Sequence, residues 1–144
     1  MKILIKYHNP ELERVQSLNI GDWIDLRAAE RVELKTGQFC LISLGVSMKL
    51  PEGYEAHLAP RSSTFKKFGI LQTNSVGVID NSYSGPNDEW KFPAFNPGPV
   101  DLEIHKGERI CQFRIVERQP EIEFVEDDLS DQSDRGGFGS TGVN

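Results

Sequence analysis

An all-β fold of the sandwich, jelly-roll or barrel kind follows from three features of the sequence. Apolar residues come in short runs that alternate with polar ones, the period of two that puts every second side chain on one face of a strand. Turn formers separate those runs at short intervals, as at Thr36-Gly37, Pro51-Glu52-Gly53 and His105-Lys106-Gly107-Glu108. Amphipathic helices of ordinary length are missing, which leaves strands to build the core.

In chain order, Lys2 to Tyr7 reads as a first strand, and residues 8–22, with Pro10 and Gly21, as a loop with room for one helical turn. Ile24-Asp25-Leu26-Arg27-Ala28-Ala29 sets a carboxylate in an apolar segment. A half-buried Asp needs a partner, either a cation such as Arg27 or Arg31 or a bound metal. Val32–Leu34, Phe39–Leu44, Val46–Leu50 and Tyr54–Ala59 continue the strands. Arg61 to Gly69 is the exception: Ser62 and Ser63 suit a helix start, Phe65 and Phe68 recur at i, i+3, and Gly69 suits the position after the last turn. Trp90–Asn96, Val100–Ile104 and Arg109–Val116 are further strands, and Glu121–Val125 reads as a last one. In Arg109–Val116, Ile110, Gln112 and Arg114 fall on one face and Cys111, Phe113 and Ile115 on the other.

At 144 residues, 38% hydrophobic and 26% charged, the chain is long enough for one domain with a core of its own. Cys40 and Cys111 stand far apart with no C-x-x-C, and His8, His57 and His105 are scattered, so packed thiols in a reducing compartment are expected rather than a disulfide framework or a zinc site. The net charge of −6 argues against non-specific nucleic-acid binding. Eight acids between Glu117 and Asp134 face only Arg118, so the rest of the chain is close to neutral and any anion site must be built from local donors. No apolar run approaches the roughly 18 residues that cross a bilayer, and Met1-Lys2-Ile3-Leu4 leads into a strand, so a cytoplasmic protein with no membrane partner is expected.

The stretch from Gly69 to Tyr83 organises the rest. Val76 to Ile79 is a strand broken by Gly77, which marks a bulge or a close approach to bare backbone. It ends in Asp80-Asn81-Ser82-Tyr83, either an ordinary turn or, with Asn74, the frame of a flat ligand. At the tail, Asp134 to Gly142 lacks the lysine of a phosphate-cradling loop; it reads as a flexible end, or as an arm that lays Phe138 over a phosphorylated ligand.

Five blocks occur in order: Asp25-Leu26-Arg27-Ala28; Pro60-Arg61-Ser62-Ser63; Asn74 through Tyr83 with Gly77-Val78-Ile79-Asp80 at its centre; Gly107-Glu108-Arg109-Ile110-Cys111-Gln112; and Arg135-Gly136-Gly137-Phe138-Gly139-Ser140-Thr141-Gly142. Together they resemble the five motifs of the homotrimeric deoxyuridine triphosphate nucleotidohydrolases (dUTPases), over nearly the whole chain and especially in the form found in bacilli and their phages.

The resemblance implies a β jelly roll of residues 1–126 with one short helix, an acidic linker and flexible glycine-rich arm at 127–144, and a homotrimer with active sites at subunit boundaries. It implies hydrolysis of dUTP to dUMP and pyrophosphate, with Mg²⁺ on the triphosphate and Asp25 holding that ion through water. Asp80 would activate the attacking water and Gln112 orient it or a phosphate oxygen. Arg61, Ser62 and Ser63 would bind the triphosphate; Asn74 and the backbone of Gly77, Val78 and Ile79 the uracil; Tyr83 the sugar, with Lys91 beside them. Arg135, Phe138, Ser140 and Thr141 would close the arm over the nucleotide. Three positions depart from the usual pattern: Arg135 lies three rather than five residues before Phe138, Ser63 replaces a commoner glycine, and the loop after Tyr83 is longer. That loop brings in Trp90 and Phe92, one of which is expected to supply part of the lid over the base. The rival readings are a dCTP deaminase and a dUTP-sensing, partner-binding protein on the same scaffold.

Overall fold

The alternating runs pair as antiparallel strands. A computed structural model of the chain describes residues 1–16 and 20–139. Among them the elements are β1 (Leu4–Tyr7), β2 (Ile24–Arg27), β3 (Val32–Leu34), β4 (Phe39–Ser43), β5 (Val46–Lys49), β6 (Tyr54–Pro60), α1 (Thr64–Phe68), β7 (Leu71–Gln72), β8 (Gly77–Ile79), β9 (Lys91–Phe95), β10 (Leu102–Ile104) and β11 (Arg109–Glu117). A four-stranded sheet runs β2-β11-β6-β8 and a three-stranded one β4-β9-β7, with the pairs β1-β5 and β10-β3 beside them. Neighbours distant in sequence, such as β2 and β11, make this an all-β jelly roll.

The inner faces meet in one core. Phe113, Leu58 and Gly77 stand side by side on β11, β6 and β8, all buried. Trp90 packs edge to face on Phe113, ring centroids 5.2 Å apart at 84°. Leu26, Ile42, Phe92, Ile104 and Ile110 close the space around them.

Three local expectations are corrected. Ile110 does not share the open face of Gln112; the register of β11 against β2 slips between Arg109 and Cys111, and this bulge turns both Ile110 and Cys111 inward. In α1, Phe65 is exposed and the buried pair is Thr64 and Phe68, the i, i+4 spacing that seats a helix this short. Glu121–Val125 forms no strand: residues 118–139 hold neither helix nor strand and are exposed throughout. A strand needs a hydrogen-bonded neighbour, and the described residues offer that segment none.

Candidate active site

β7 belongs to the three-stranded sheet and β8 to the four-stranded one, so residues 73–76 cross from one to the other. Ser75 takes φ 57° at the crossing. β8 is the edge of its sheet, paired only with β6, so the backbone groups of its other side are free to meet a ligand. At Gly77 a Cβ would stand 3.1 Å from the Leu58 Cβ and 3.6 Å from the Asn74 Nδ2, a close approach of the kind a strand glycine signals. Here lies a cavity of about 390 Å³ lined by Asn74, Gly77, Val78, Ile79, Asp80, Tyr83 and Lys91. Leu41, Leu58, Glu89, Trp90 and Pro93 complete its wall.

The cavity's polar groups are held by the fold. Asp80 Oδ1 accepts the Ser82 N–H at 2.9 Å and the Ser82 hydroxyl, so the turn-forming role of this aspartate is real; its Oδ2 has no partner among the described residues. The Ser82 hydroxyl first, and then the backbone N–H groups, hold the Asp80 carboxyl below the usual range, so it is ionised at neutral pH. Tyr83 donates its hydroxyl to the Glu89 carbonyl at 3.0 Å. Burial, with Asp88 and Glu89 nearby, pushes that phenol up, so it stays a neutral donor. Asn81 donates its amide to the Leu50, Pro51 and Tyr54 carbonyls and ties the end of β8 to the neighbouring turn. Gln72, buried, donates its amide to the Leu58 carbonyl at 3.0 Å and to Asn74 Oδ1 at 2.9 Å. Its own Oε1 and the Trp90 Nε1 have no partner among the described residues, each a cost of about 1–3 kcal/mol.

A second polar group forms on the other face of the same sheet. Asp25, Gln112 and Ala59 are cross-strand neighbours on β2, β11 and β6. The Asp25 carboxylate, 12% exposed, accepts from Arg61 Nε at 2.9 Å and from Arg109 at 3.3 Å. Its partners are therefore neither Arg27, which pairs with Glu13, nor Arg31, which pairs with Glu33 and Glu103. Arg61 is fixed further by its N–H donating to the Thr64 hydroxyl, which in turn donates to the Ile110 carbonyl. The serine hydroxyls of Ser62 and Ser63 are uncommitted; Ser63 flanks α1 without a capping bond. Gln112 donates to the Pro60 carbonyl at 3.1 Å.

These blocks lie within the match to the dUTPase family model, which spans residues 23–142. The chain belongs to the dUTPase family. It is 56% identical over 143 residues, 99% of both chains, to the SPbeta prophage-derived deoxyuridine 5'-triphosphate nucleotidohydrolase YosS of Bacillus subtilis (strain 168). It is 39% identical to the deoxyuridine 5'-triphosphate nucleotidohydrolase of Finegoldia magna, over 99% of this chain and 98% of that one. Among solved structures, the Staphylococcus bacteriophage 80alpha dUTPase with dUPNHPP superposes with a TM-score of 0.82, at 26% identity over 99% of each chain.

In this dUTPase the two polar groups do not share a cavity within one chain. The rung Phe113–Leu58–Gly77 faces the core and the cavity, while the adjacent rung Asp25–Gln112–Ala59 faces the opposite way. None of Asp25, Arg61, Ser62, Ser63 and Gln112 lines the cavity of Asn74 and Asp80. Arg135 and Phe138 are exposed, with Phe138 at φ 51°, and Ser140 and Thr141 lie outside the described residues. The expected aromatic lid is corrected: Phe92 is wholly buried and Trp90 is 1% exposed, because the Trp90 backbone pairs with Leu44 and Val46 and draws the loop's end into the core. Trp90 is a wall of the cavity, not a cover. No cluster of three His, Cys, Asp or Glu stands ready for a metal among the described residues. Asp25 spends one acceptor position of each oxygen on an arginine and keeps another, enough for a water-mediated contact to a hydrated Mg²⁺.

Gln72 and Arg109 are the residues that sequence reasoning missed. A glutamine just after the apolar pair Ile70-Leu71, and an arginine in the same block as Gln112, were the signals available.

Proposed function

We propose that this chain hydrolyses dUTP to dUMP and pyrophosphate, in the cytoplasm, so limiting uracil in DNA and supplying dUMP for dTTP synthesis. One observation carries the reading. In a chain of the dUTPase family, an edge strand with bare backbone, a fixed amide, a fixed phenol and an ionised carboxylate converge on one cavity. The free backbone of Gly77, Val78 and Ile79, with the Asn74 amide, offers the donors and acceptors that complement uracil O2, N3–H and O4. Cytosine inverts two of these groups and would strand buried polar atoms. Tyr83, held by Glu89, packs on the sugar where a 2′-hydroxyl would need room, and Lys91 lies at the rim.

Asp80 then holds the attacking water through its free Oδ2, in line with the α-phosphorus, and takes its proton as the bond to the pyrophosphate leaving oxygen breaks. A lowered pKa makes it a modest base, but in phosphoryl transfer position and charge matter more than basicity. Arg61, Ser62 and Ser63 bind the triphosphate, Gln112 orients the water or a phosphate oxygen, and Asp25 positions Arg61 and meets Mg²⁺ through water. The ion, arriving on the triphosphate, supplies charge neutralisation.

Because the two polar groups face opposite ways, a complete site requires a second copy, and we assign the protein as a homotrimer with sites between subunits. Supporting this, Phe39 and Leu41 on β4 and Leu71 on β7 expose an apolar face beside the cavity, and Ile122, Phe124 and Val125 are exposed on the segment after β11. Residues 1–126 are then the catalytic jelly roll and 127–144 the linker and arm, which brings Arg135, Phe138, Ser140 and Thr141 over a bound nucleotide. Pyrophosphate release from dUTP, dTTP, dCTP and UTP, each with and without Mg²⁺, tests the whole reading. Turnover confined to dUTP and dependent on Mg²⁺ is expected; equal turnover of dCTP or UTP would defeat it.

A further inference from the structure

We propose that Gln72 is a specificity-determining positioning residue: by fixing which way the Asn74 amide points, it sets the choice of uracil over cytosine. The inference rests on the base-pocket reading above and deepens it.

The argument is one of hydrogen-bond direction. The Leu58 carbonyl only accepts, so the Gln72 amide atom 3.0 Å from it is the nitrogen. With the amide turned over, Gln72 would set oxygen against oxygen. The second N–H of that nitrogen meets the Asn74 amide at 2.9 Å, and must meet its oxygen. Asn74 therefore directs Nδ2 away from Gln72 and over Gly77, 3.6 Å from where a Cβ of residue 77 would stand, on the wall of the cavity. An amide that is free to rotate offers a base a donor or an acceptor equally. This one is locked as a donor by a backbone carbonyl two steps away.

The lock is stiff because Gln72 is clamped between sheets. Its backbone pairs with Ala94 of β9, while its buried side chain reaches Leu58 of β6. Nothing pulls it the other way, since its Oε1 has no partner among the described residues. The Asn74 Nδ2–H then donates to the O4 of uracil, whereas it would face the amino group of cytosine donor to donor.

Gln72→Met keeps the length and loses both bonds. Steady-state kinetics should show kcat/KM for dUTP relative to dCTP falling by roughly 10-fold or more, through KM for dUTP with kcat nearly kept. In an Asn74→Ala background the same substitution should change the ratio no further. Gln72→Glu, its buried acid protonated toward Leu58, leaves an oxygen that only accepts from Asn74, so dCTP turnover should rise above wild type. An unchanged ratio in Gln72→Met, beside a lowered one in Asn74→Ala, overturns the role of Gln72 and leaves the base pocket standing. An unchanged ratio in Asn74→Ala removes the pocket reading and this proposal with it. If the variants do not fold, NMR of the wild type decides: a coupling across the hydrogen bond from Gln72 Nε2 to the Asn74 side-chain carbonyl carbon is expected, and its absence rules the lock out.

Discussion

The base cavity and the Asp25 cluster occupy opposite faces of one sheet and are built by opposite means. Asn74 and Tyr83 are neutral, Tyr83 held by the Glu89 carbonyl and Asn74 by the Gln72 amide that the Leu58 carbonyl holds in turn, and much of the wall around them is apolar. Around Asp25 they are charged, partly open to water, and held by one another. The difference matches the role proposed for each. Telling one pyrimidine from another depends on donor and acceptor directions that cannot relax, which calls for neutral groups fixed in a dry wall. Gripping a triphosphate depends on charge, which is costly to bury unpaired and so keeps a carboxylate between its arginines until the ligand arrives.

In the proposed mechanism Asp80 stands where the two functions meet, and its removal should have the largest effect. Asp80→Asn keeps the shape and the bond to the Ser82 N–H but gives up the charge that receives the water's proton. A fall in kcat of roughly 10³-fold is expected, with the affinity for a non-hydrolysable dUTP analogue nearly kept. A variant with near-normal turnover would mean that Asp80 is only a turn former, and the cavity a binding site without chemistry.

The two regions were unequally legible in the sequence. Asn74, Gly77, Asp80 and Tyr83 sit on one short stretch, β8 with the crossing segment before it and the turn after it, where closeness along the chain brings them together. The Asp25 partners were misread as Arg27 and Arg31 because proximity along the chain was the only guide. The real partners, Arg61 and Arg109, lie 36 and 84 residues away; Arg109 arrives through the pairing of β2 with β11, and Arg61 from the end of β6, which pairs with the other edge of β11. Gln72 was passed over for the same reason, since its meaning depends on a carbonyl of another sheet. One of Trp90 and Phe92 was expected as part of a lid because the longer loop after Tyr83 leads to them, yet both are buried, Trp90 drawn inward by backbone bonds that no local pattern reveals. The alternation of Glu121–Val125 is genuine, but a strand pattern does not name its partner, and among the described residues there is none.

The charged face is sharpened by Asp25→Asn. Arg61 loses the charge that orients it, so kcat/KM for dUTP should drop by roughly 10²-fold, the scale of a misplaced binding group. The preference for dUTP over dCTP should be untouched, because no group of the cluster lines the base cavity. A change in that preference would show that the two faces are not independent. Gly77→Ala tests the other side. Its Cβ would press on Leu58 and crowd Asn74, raising KM for dUTP by roughly 10-fold, the scale of 1–3 kcal/mol of overpacking, with the response to Mg²⁺ unaltered.

The smallest effect should come from Ser82→Ala, read in the pH profile rather than in the maximal rate. The Ser82 hydroxyl is the largest of the influences that hold the Asp80 carboxyl below its ordinary range. In the proposed mechanism catalysis needs Asp80 ionised, so activity is present above its pKa and lost as pH falls through it. Removing the hydroxyl raises that pKa while the Ser82 N–H still holds the turn. The acidic limb of kcat should therefore move to higher pH, with the rate at neutral pH close to wild type. A limb that stays in place would mean that the acidic loss does not belong to Asp80.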